Sequence, residues 1–299
     1  MINLSPWMLF WFLFQVLSIP LHDATAGTFR DALGREVRLA GVPKRIIALA
    51  PSVAEILFFL GLGERVAGVT DFSTYPPEAA RKPRVGSFVH MNVEKIIDLK
   101  PDLVVATAEG NRPELVALLE QARIKTYVVN PRNVAQVIEC VREVGRVCGV
   151  EERAGALAAD LQARVDRVVG KTLLGNRPSV LFQINLRPIM TVNRNTLHHD
   201  LIRLAGGKNL FMDEPLTYPR ISLEEAIRRR PDVIIISSME RGGRFEEARI
   251  EWMRWKAIPA VRDGRVFLID SDITDRPSPR AFVGIERMAR MLHPEAAWD

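Results

Sequence analysis

Asn92-Val93-Glu94-Lys95-Ile96-Ile97-Asp98-Leu99-Lys100-Pro101-Asp102-Leu103-Val104-Val105 lines up without a gap on Ser222-Leu223-Glu224-Glu225-Ala226-Ile227-Arg228-Arg229-Arg230-Pro231-Asp232-Val233-Ile234-Ile235. Each copy reads as a capped helix, a Pro-Asp turn and then an apolar run rich in β-branched residues. A Thr-Tyr-Pro lies upstream of each, at Thr74-Tyr75-Pro76 and Thr217-Tyr218-Pro219. Self-similarity on this scale predicts two related α/β lobes, and two lobes imply a cleft between them.

Outward from the first copy, Arg45 to Leu49, Val66 to Thr70, Leu103 to Ala106 and Thr126 to Val129 are short apolar runs, alternating with helical patterns. That alternation predicts a parallel sheet covered on both faces, in the manner of a Rossmann-like lobe. Asp31 to Val37 reads as a hairpin around Gly34. From Glu151 to Lys171 the chain is dominated by Ala, Leu, Arg, Asp, Glu and Gln, which predicts one helix of about 30 Å. The α/β pattern restarts at Val180 to Ile184 and continues through Leu197 to Leu204, Val233 to Ser237, Val266 to Ile269 and Arg280 to Leu292. The expected division is 1–26, a signal segment; 27–149, an N-terminal lobe; 150–174, a rigid connecting helix; and 175–299, a C-terminal lobe. At 299 residues the chain has room for each lobe to bury its own core.

The signal segment rests on Trp7 to Ile19, an apolar block of 13 residues, short of the roughly 20 a spanning helix needs. Ala24-Thr25-Ala26 follows as a small-x-small cleavage site, so the mature chain is expected to start at Gly27 and to work in the periplasm. A formal charge of +5 spread along the chain argues for solubility rather than nucleic-acid binding. Cys140 and Cys148 are too far apart in a helical pattern to pair, and both read as packed thiols.

Motifs for catalysis are missing: there is no phosphate-cradling glycine loop, no Gly-x-Ser-x-Gly elbow and no His-Glu-x-x-His. His198 and His199 open a helix and read as solvent-facing or supporting residues, and His90 sits in a loop without metal-ligand spacing around it. Polar and aromatic residues instead gather in loops that follow strands: Tyr75, Phe88, Asn111, Tyr218, Asp272 and Arg276. Ligands of open α/β sheets bind beyond the carboxyl ends of strands, and flat aromatic faces suit a broad, partly apolar ligand. Asn92 and Ser222 are favourable N-caps, so Glu94 and Glu224 fall at the second helical position, and Ser222 with Glu225 fits a capping box. Either glutamate alone serves its helix dipole. The same residue at the same place in both lobes predicts two carboxylates presented symmetrically to a partner with paired arginines.

Arg45-Ile46-Ile47-Ala48-Leu49-Ala50-Pro51-Ser52, Tyr75-Pro76-Pro77, Val85-Gly86-Ser87, Asn92-Val93-Glu94-Lys95-Ile96 and Leu99-Lys100-Pro101-Asp102-Leu103-Val104 resemble, in order and spacing, the ABC-importer substrate-binding proteins with a long interlobe helix. That class carries cobalamin, haem, iron siderophores and some metals, and the resemblance is nearest to its cobalamin carriers. It implies that Tyr75, Phe88 and Tyr218 surround a corrin ring, that Asp272 and Arg276 bond its amide arms, and that Glu94 and Glu224 dock on a membrane permease dimer. The reading calls for no cofactor, no nucleic acid and a monomeric chain. His90, within reach of a metal centre, keeps haem or a ferric siderophore open as cargo. A two-lobed metal-dependent enzyme built on His90 and Asp272 is the alternative from another class.

Overall fold

Both faces of every central strand are apolar, which commits the strands to sheets covered by helices on either side. The computed structural model describes residues 27–87, 90–173, 175–237 and 244–298, and this architecture occurs in it twice. The first half opens with an antiparallel hairpin, β1 (Gly27–Arg30) and β2 (Glu36–Leu39), turned at Gly34 where φ is +77°. Then come β3 (Ile46–Ala48), α1 (Pro51–Phe59), β4 (Val66–Val69), α2 (Pro77–Ala80), α3 (Val93–Asp98), β5 (Leu103–Thr107), α4 (Pro113–Gln121), β6 (Thr126–Val129) and α5 (Val134–Val147). Helix α6 (Glu151–Thr172) leads into β7 (Ser179–Gln183), α7 (Leu197–Leu204), β8 (Lys208–Asn209), α8 (Leu223–Arg229), β9 (Val233–Ile236), α9 (Arg244–Trp252), α10 (Pro259–Arg262), β10 (Val266–Leu268) and α11 (Ala281–Leu292). The result is two four-stranded parallel sheets, ordered β4-β3-β5-β6 and β10-β9-β7-β8. The expected signal segment, 1–26, lies outside the described residues.

The duplicated stretch folds the same way in both lobes. Asn92 Oδ1 accepts the Lys95 amide at 2.8 Å, and Ser222 Oγ accepts the Glu225 amide at 3.1 Å. Each helix is followed by a basic residue in the left-handed region, Lys100 at φ +46° and Arg230 at φ +51°. The aspartate of each Pro-Asp turn then pins the start of the neighbouring strand. Asp102 accepts the amides of Lys44 and Arg45 at 2.7 and 3.0 Å, and Asp232 accepts the amide and hydroxyl of Ser179 at 2.8 and 2.7 Å. One detail departs from expectation. The Glu225 carboxylate, expected to complete a capping box, is taken by Arg228 and Arg229, because arginines three and four residues on offer charge-assisted bonds.

Strand residues alternate between two cores. Ile47, Leu49, Val104 and Ala106 pack outward with Ile96 and Leu119, and Leu181, Ile234 and Ile236 pack outward with Phe211 and Trp252. Their sequence neighbours Ile46, Ala48, Leu103, Val105, Val180, Phe182, Val233 and Ile235 face inward. The expectation that each lobe buries its own core holds for these outward faces but not for the inward ones. The inward residues of both lobes belong to one continuous hydrophobic layer, bridged by Ala154, Ala158, Leu161, Val165 and Val168 of α6.

Helix α6 spans 22 residues, about 33 Å at ~1.5 Å per residue. It packs on α5 in one lobe and on α7 and α11 in the other, where Arg164 forms a bidentate pair with Glu286 at 2.8 and 3.0 Å. Gly145 of α5 sits so close to Ala154 that a β-carbon there would overlap the alanine methyl. Gly145→Val is therefore expected to pry α5 from α6 and to destabilise the protein by about 1–3 kcal/mol, read as a lowered melting temperature. Cys140 and Cys148 are buried free thiols, as the sequence suggested. Burial pushes the Cys148 thiol up to about 12 and raises Cys140 as well, so neither is a ready nucleophile.

Candidate functional site

The loop after β4 carries Tyr75 and is braced by Arg84, whose guanidinium donates to the carbonyls of Thr70 and Ser73 at 2.6 and 2.9 Å. Tyr75 is 38% exposed, with Phe59 at a ring-centroid distance of 6.3 Å. The Arg280 guanidinium, from the other lobe, lies over the Tyr75 ring at 4.2 Å. The equivalent tyrosine, Tyr218, is 36% exposed, on a segment tied to the stretch after β7 by Thr191 N to Pro219 O and Asn193 N to Thr217 O, both 3.0 Å. Each lobe thus presents one half-exposed phenol.

Beneath Tyr75 the lobes are joined by an ionic cluster. Glu55 of α1 is fully buried, and its Oε1 accepts Nη1 of Arg276 at 2.8 Å and of Arg280 at 3.2 Å. Ser278 Oγ donates to the other carboxylate oxygen. Arg276 also meets Asp272 at 2.7 Å and donates to the Phe72 carbonyl at 3.4 Å. A charge buried this deeply persists only when paired and hydrogen-bonded, and these donors meet that condition. Asp272 and Arg276, expected to face a ligand directly, are in this arrangement paired with each other.

At the other end of the contact Tyr218 Oη donates to Glu109 at 2.9 Å across the lobes, and Arg132 lies 3.4 Å from the same carboxylate. Burial, and then the adjacent Glu109 charge, push the Tyr218 phenol up. Behind them lies a cavity of about 30 Å³, walled by Glu109, Arg132, Tyr218, His198 and Asp275 among others. His198 is buried rather than solvent-facing: its ring packs on Phe182 at 5.1 Å and Nε2 stands 3.1 Å from Asp275 Oδ1.

Other expected residues fall elsewhere. Asn111 is buried and its amide is used inside its lobe, accepting from Thr107 N at 2.8 Å and donating to the Leu49 carbonyl at 3.1 Å. His90 is exposed, its amide bonded to Ser87 Oγ at 3.1 Å. Phe88 lies outside the described residues. Glu94 and Glu224 are exposed at the starts of α3 and α8. Among the described residues no group of three or more His, Cys, Asp or Glu is placed to hold a metal.

Sequence reasoning missed Glu55, Glu109 and His198. For Glu55 there was a signal, a single carboxylate inside the otherwise apolar run Val53-Ala54-Glu55-Ile56-Leu57. For Glu109 and His198 there was none, since their partners lie in the other lobe or on distant loops.

Two lobes joined through α6 meet over half-exposed aromatic faces and paired charges, the architecture of a bilobal binding protein. A family model described as periplasmic binding protein matches residues 46–273, and the chain belongs to that family. The vitamin B12-binding protein of Vibrio cholerae serotype O1 is 28% identical over 250 residues, covering 83% of this chain and 89% of the relative. Among solved structures, the periplasmic vitamin B12 binding protein of Vibrio cholerae matches with a TM-score of 0.75 at 28% identity, covering 84% of this chain and 97% of that one. A periplasmic haem-binding protein from Roseiflexus matches with a TM-score of 0.74 at 26% identity, covering 84% of this chain and 98% of that one. Family membership sets the protein outside the cytoplasm and makes its cleft a binding site rather than a catalytic centre; the metal-dependent enzyme is set aside on that ground.

Proposed function

We propose that the chain captures cobalamin or a related corrinoid between its lobes and delivers it to an ABC import permease. The observation that carries the choice of cargo is the state of the cleft arginines. Arg276 and Arg280 are paired with Glu55 and Asp272, and Arg132 with Glu109. Such a surface offers dipoles and aromatic faces to a broad neutral ligand fringed with amides, and no uncompensated cation among these three for an anionic one. Tyr75 and Tyr218 supply the faces, with Phe88 as a further contact, and Asp272 and Arg276 complete the proposed contact set; Asn111, whose amide is used inside its own lobe, is left out of it. The exposed carboxylates Glu94 and Glu224 serve as docking points for the permease dimer. In this reading 1–26 is a cleaved signal peptide, 27–149 and 175–299 are the lobes, 150–174 is the connector, and the carrier is monomeric and periplasmic.

Titration of residues 27–299 with cyanocobalamin, haemin and a ferric siderophore, followed by absorbance and tryptophan fluorescence, tests the proposal. Cyanocobalamin is expected to bind in the micromolar range or tighter, and ahead of the other two. Haemin binding first would favour the haem reading, which the exposed His90 keeps chemically open. Binding of none of the three would remove the support for a metal-chelate carrier.

A further inference from the structure

Polar contacts that cross between the lobes differ in how much water reaches them. The Val134 amide donates to Asp200 Oδ2 at 2.9 Å between α5 and α7, both of which pack on α6, and Glu55 holds Arg276 and Arg280 in full burial. Opening either contact leaves a buried or part-buried group unmet, which is unfavourable. The bond from Tyr218 Oη to Glu109 is of another kind. The side chains of Glu109 and of its neighbour Arg132 are each 42% exposed, so water can take over when the bond opens. Its acceptor is set by its own lobe, through Arg132 at 3.4 Å, and its donor stays protonated because burial and the Glu109 charge push the phenol up.

With Oη 2.9 Å from Glu109, no part of a ligand fits between the tip of the Tyr218 ring and the opposite lobe. The cavity behind the pair is about 30 Å³, against about 300–1,000 Å³ for an ordinary small-molecule site. A broad cargo lying on the Tyr218 face and reaching the first lobe has to part the two groups.

The geometry points to the Tyr218–Glu109 bond as an autoinhibitory latch: it holds the empty carrier closed at this end of the cleft, and cargo enters only by breaking it. Apparent affinity scales with the fraction of molecules already open, so the latch weakens binding. A ligand contact has the opposite sign. Tyr218→Phe separates the two, because it keeps the aromatic face and removes the hydroxyl alone.

The choice of probe, though not the latch, rests on the corrinoid reading above. Affinity and association rate for cyanocobalamin are measured for the purified wild type, Tyr218→Phe, Glu109→Ala and the double variant. Each single variant is expected to bind about three- to tenfold more tightly, mostly through faster association, and the double variant no more tightly than either. In parallel, nitroxide labels are placed at Glu94→Cys and Glu224→Cys, exposed sites on the two lobes, while the buried native thiols stay unlabelled. Adding Tyr218→Phe is expected to lengthen the label distance in empty protein, read by pulsed dipolar resonance. Single variants that bind no tighter than the wild type, gains that add in the double variant, or an unchanged label distance each overturn the latch. Wild-type protein that binds no corrinoid overturns the cargo reading instead, and a lengthened distance then sustains the latch without it.

Discussion

Uptake by cells carrying Glu94→Arg together with Glu224→Arg is expected to fall to background, while the purified double variant binds cyanocobalamin as the wild type does. Both carboxylates sit at the second position of capped helices that occupy matching places in the two lobes. Neither has an ion-pair partner among the described residues, so each is available to another molecule. Its own backbone amide and the Ser222 hydroxyl hold the Glu224 carboxyl below the usual range, which keeps it charged through the physiological pH range. Losing one partner of a hydrogen-bonded interfacial charge pair costs about 2–5 kcal/mol, and reversing two charges adds repulsion to each contact. Measuring radiolabelled uptake beside affinity separates docking from capture. Uptake at the wild-type rate would show that the carboxylates do no more than complement their own helix dipoles.

Glu55→Ala is expected to be among the most destabilising single changes in the chain. It leaves the guanidinium groups of Arg276 and Arg280, only 12% and 15% exposed, without their buried counter-charge and dependent on the more exposed Asp272, and leaves Ser278 without its acceptor. Breaking a buried ion pair by removing one partner costs about 3–5 kcal/mol. The same change frees Arg280 from its place over Tyr75, so corrinoid affinity should drop with stability. Denaturant unfolding with and without cyanocobalamin measures both effects. A loss below about 1 kcal/mol would mean that the cluster is solvated and worth no more than a surface pair. Asp272→Ala, at a residue 23% exposed, should cost less than Glu55→Ala.

The fold was legible because its signals are local. Asn92 and Ser222 cap, the Pro-Asp turns stop, and the β-branched runs propagate within a few residues of one another, so duplication alone revealed two lobes. The span Leu197–Leu204 could be read to the residue, since Thr196 caps it and the two glycines after Ala205 end it. By contrast β8 has two residues, Lys208 and Asn209, too few to show a period. The site was half legible. Tyr75 and Tyr218 follow from position alone, as aromatic residues in the loops preceding the duplicated helices. Glu55 depends on arginines more than 200 positions away, and His198 on Asp275, 77 positions on. No window of sequence contains such pairs. The sharing of the inward core escaped notice for the same reason, because nothing in β3 or β7 declares which neighbour will cover its inward face.

That shared inward layer limits how the chain can be divided. Ile46 and Leu103 on one side, and Phe182 and Ile285 on the other, belong to one apolar layer, and α6 ties its two halves by packing on α5 in one lobe and on α7 and α11 in the other. A fragment ending after Thr172 would expose the face of α6 that packs on α7 and α11, one starting at Gly175 would expose the matching face of those helices, and each would tend to associate through it. The two halves repeat one another in sequence, yet through that layer they are built to be kept together rather than split.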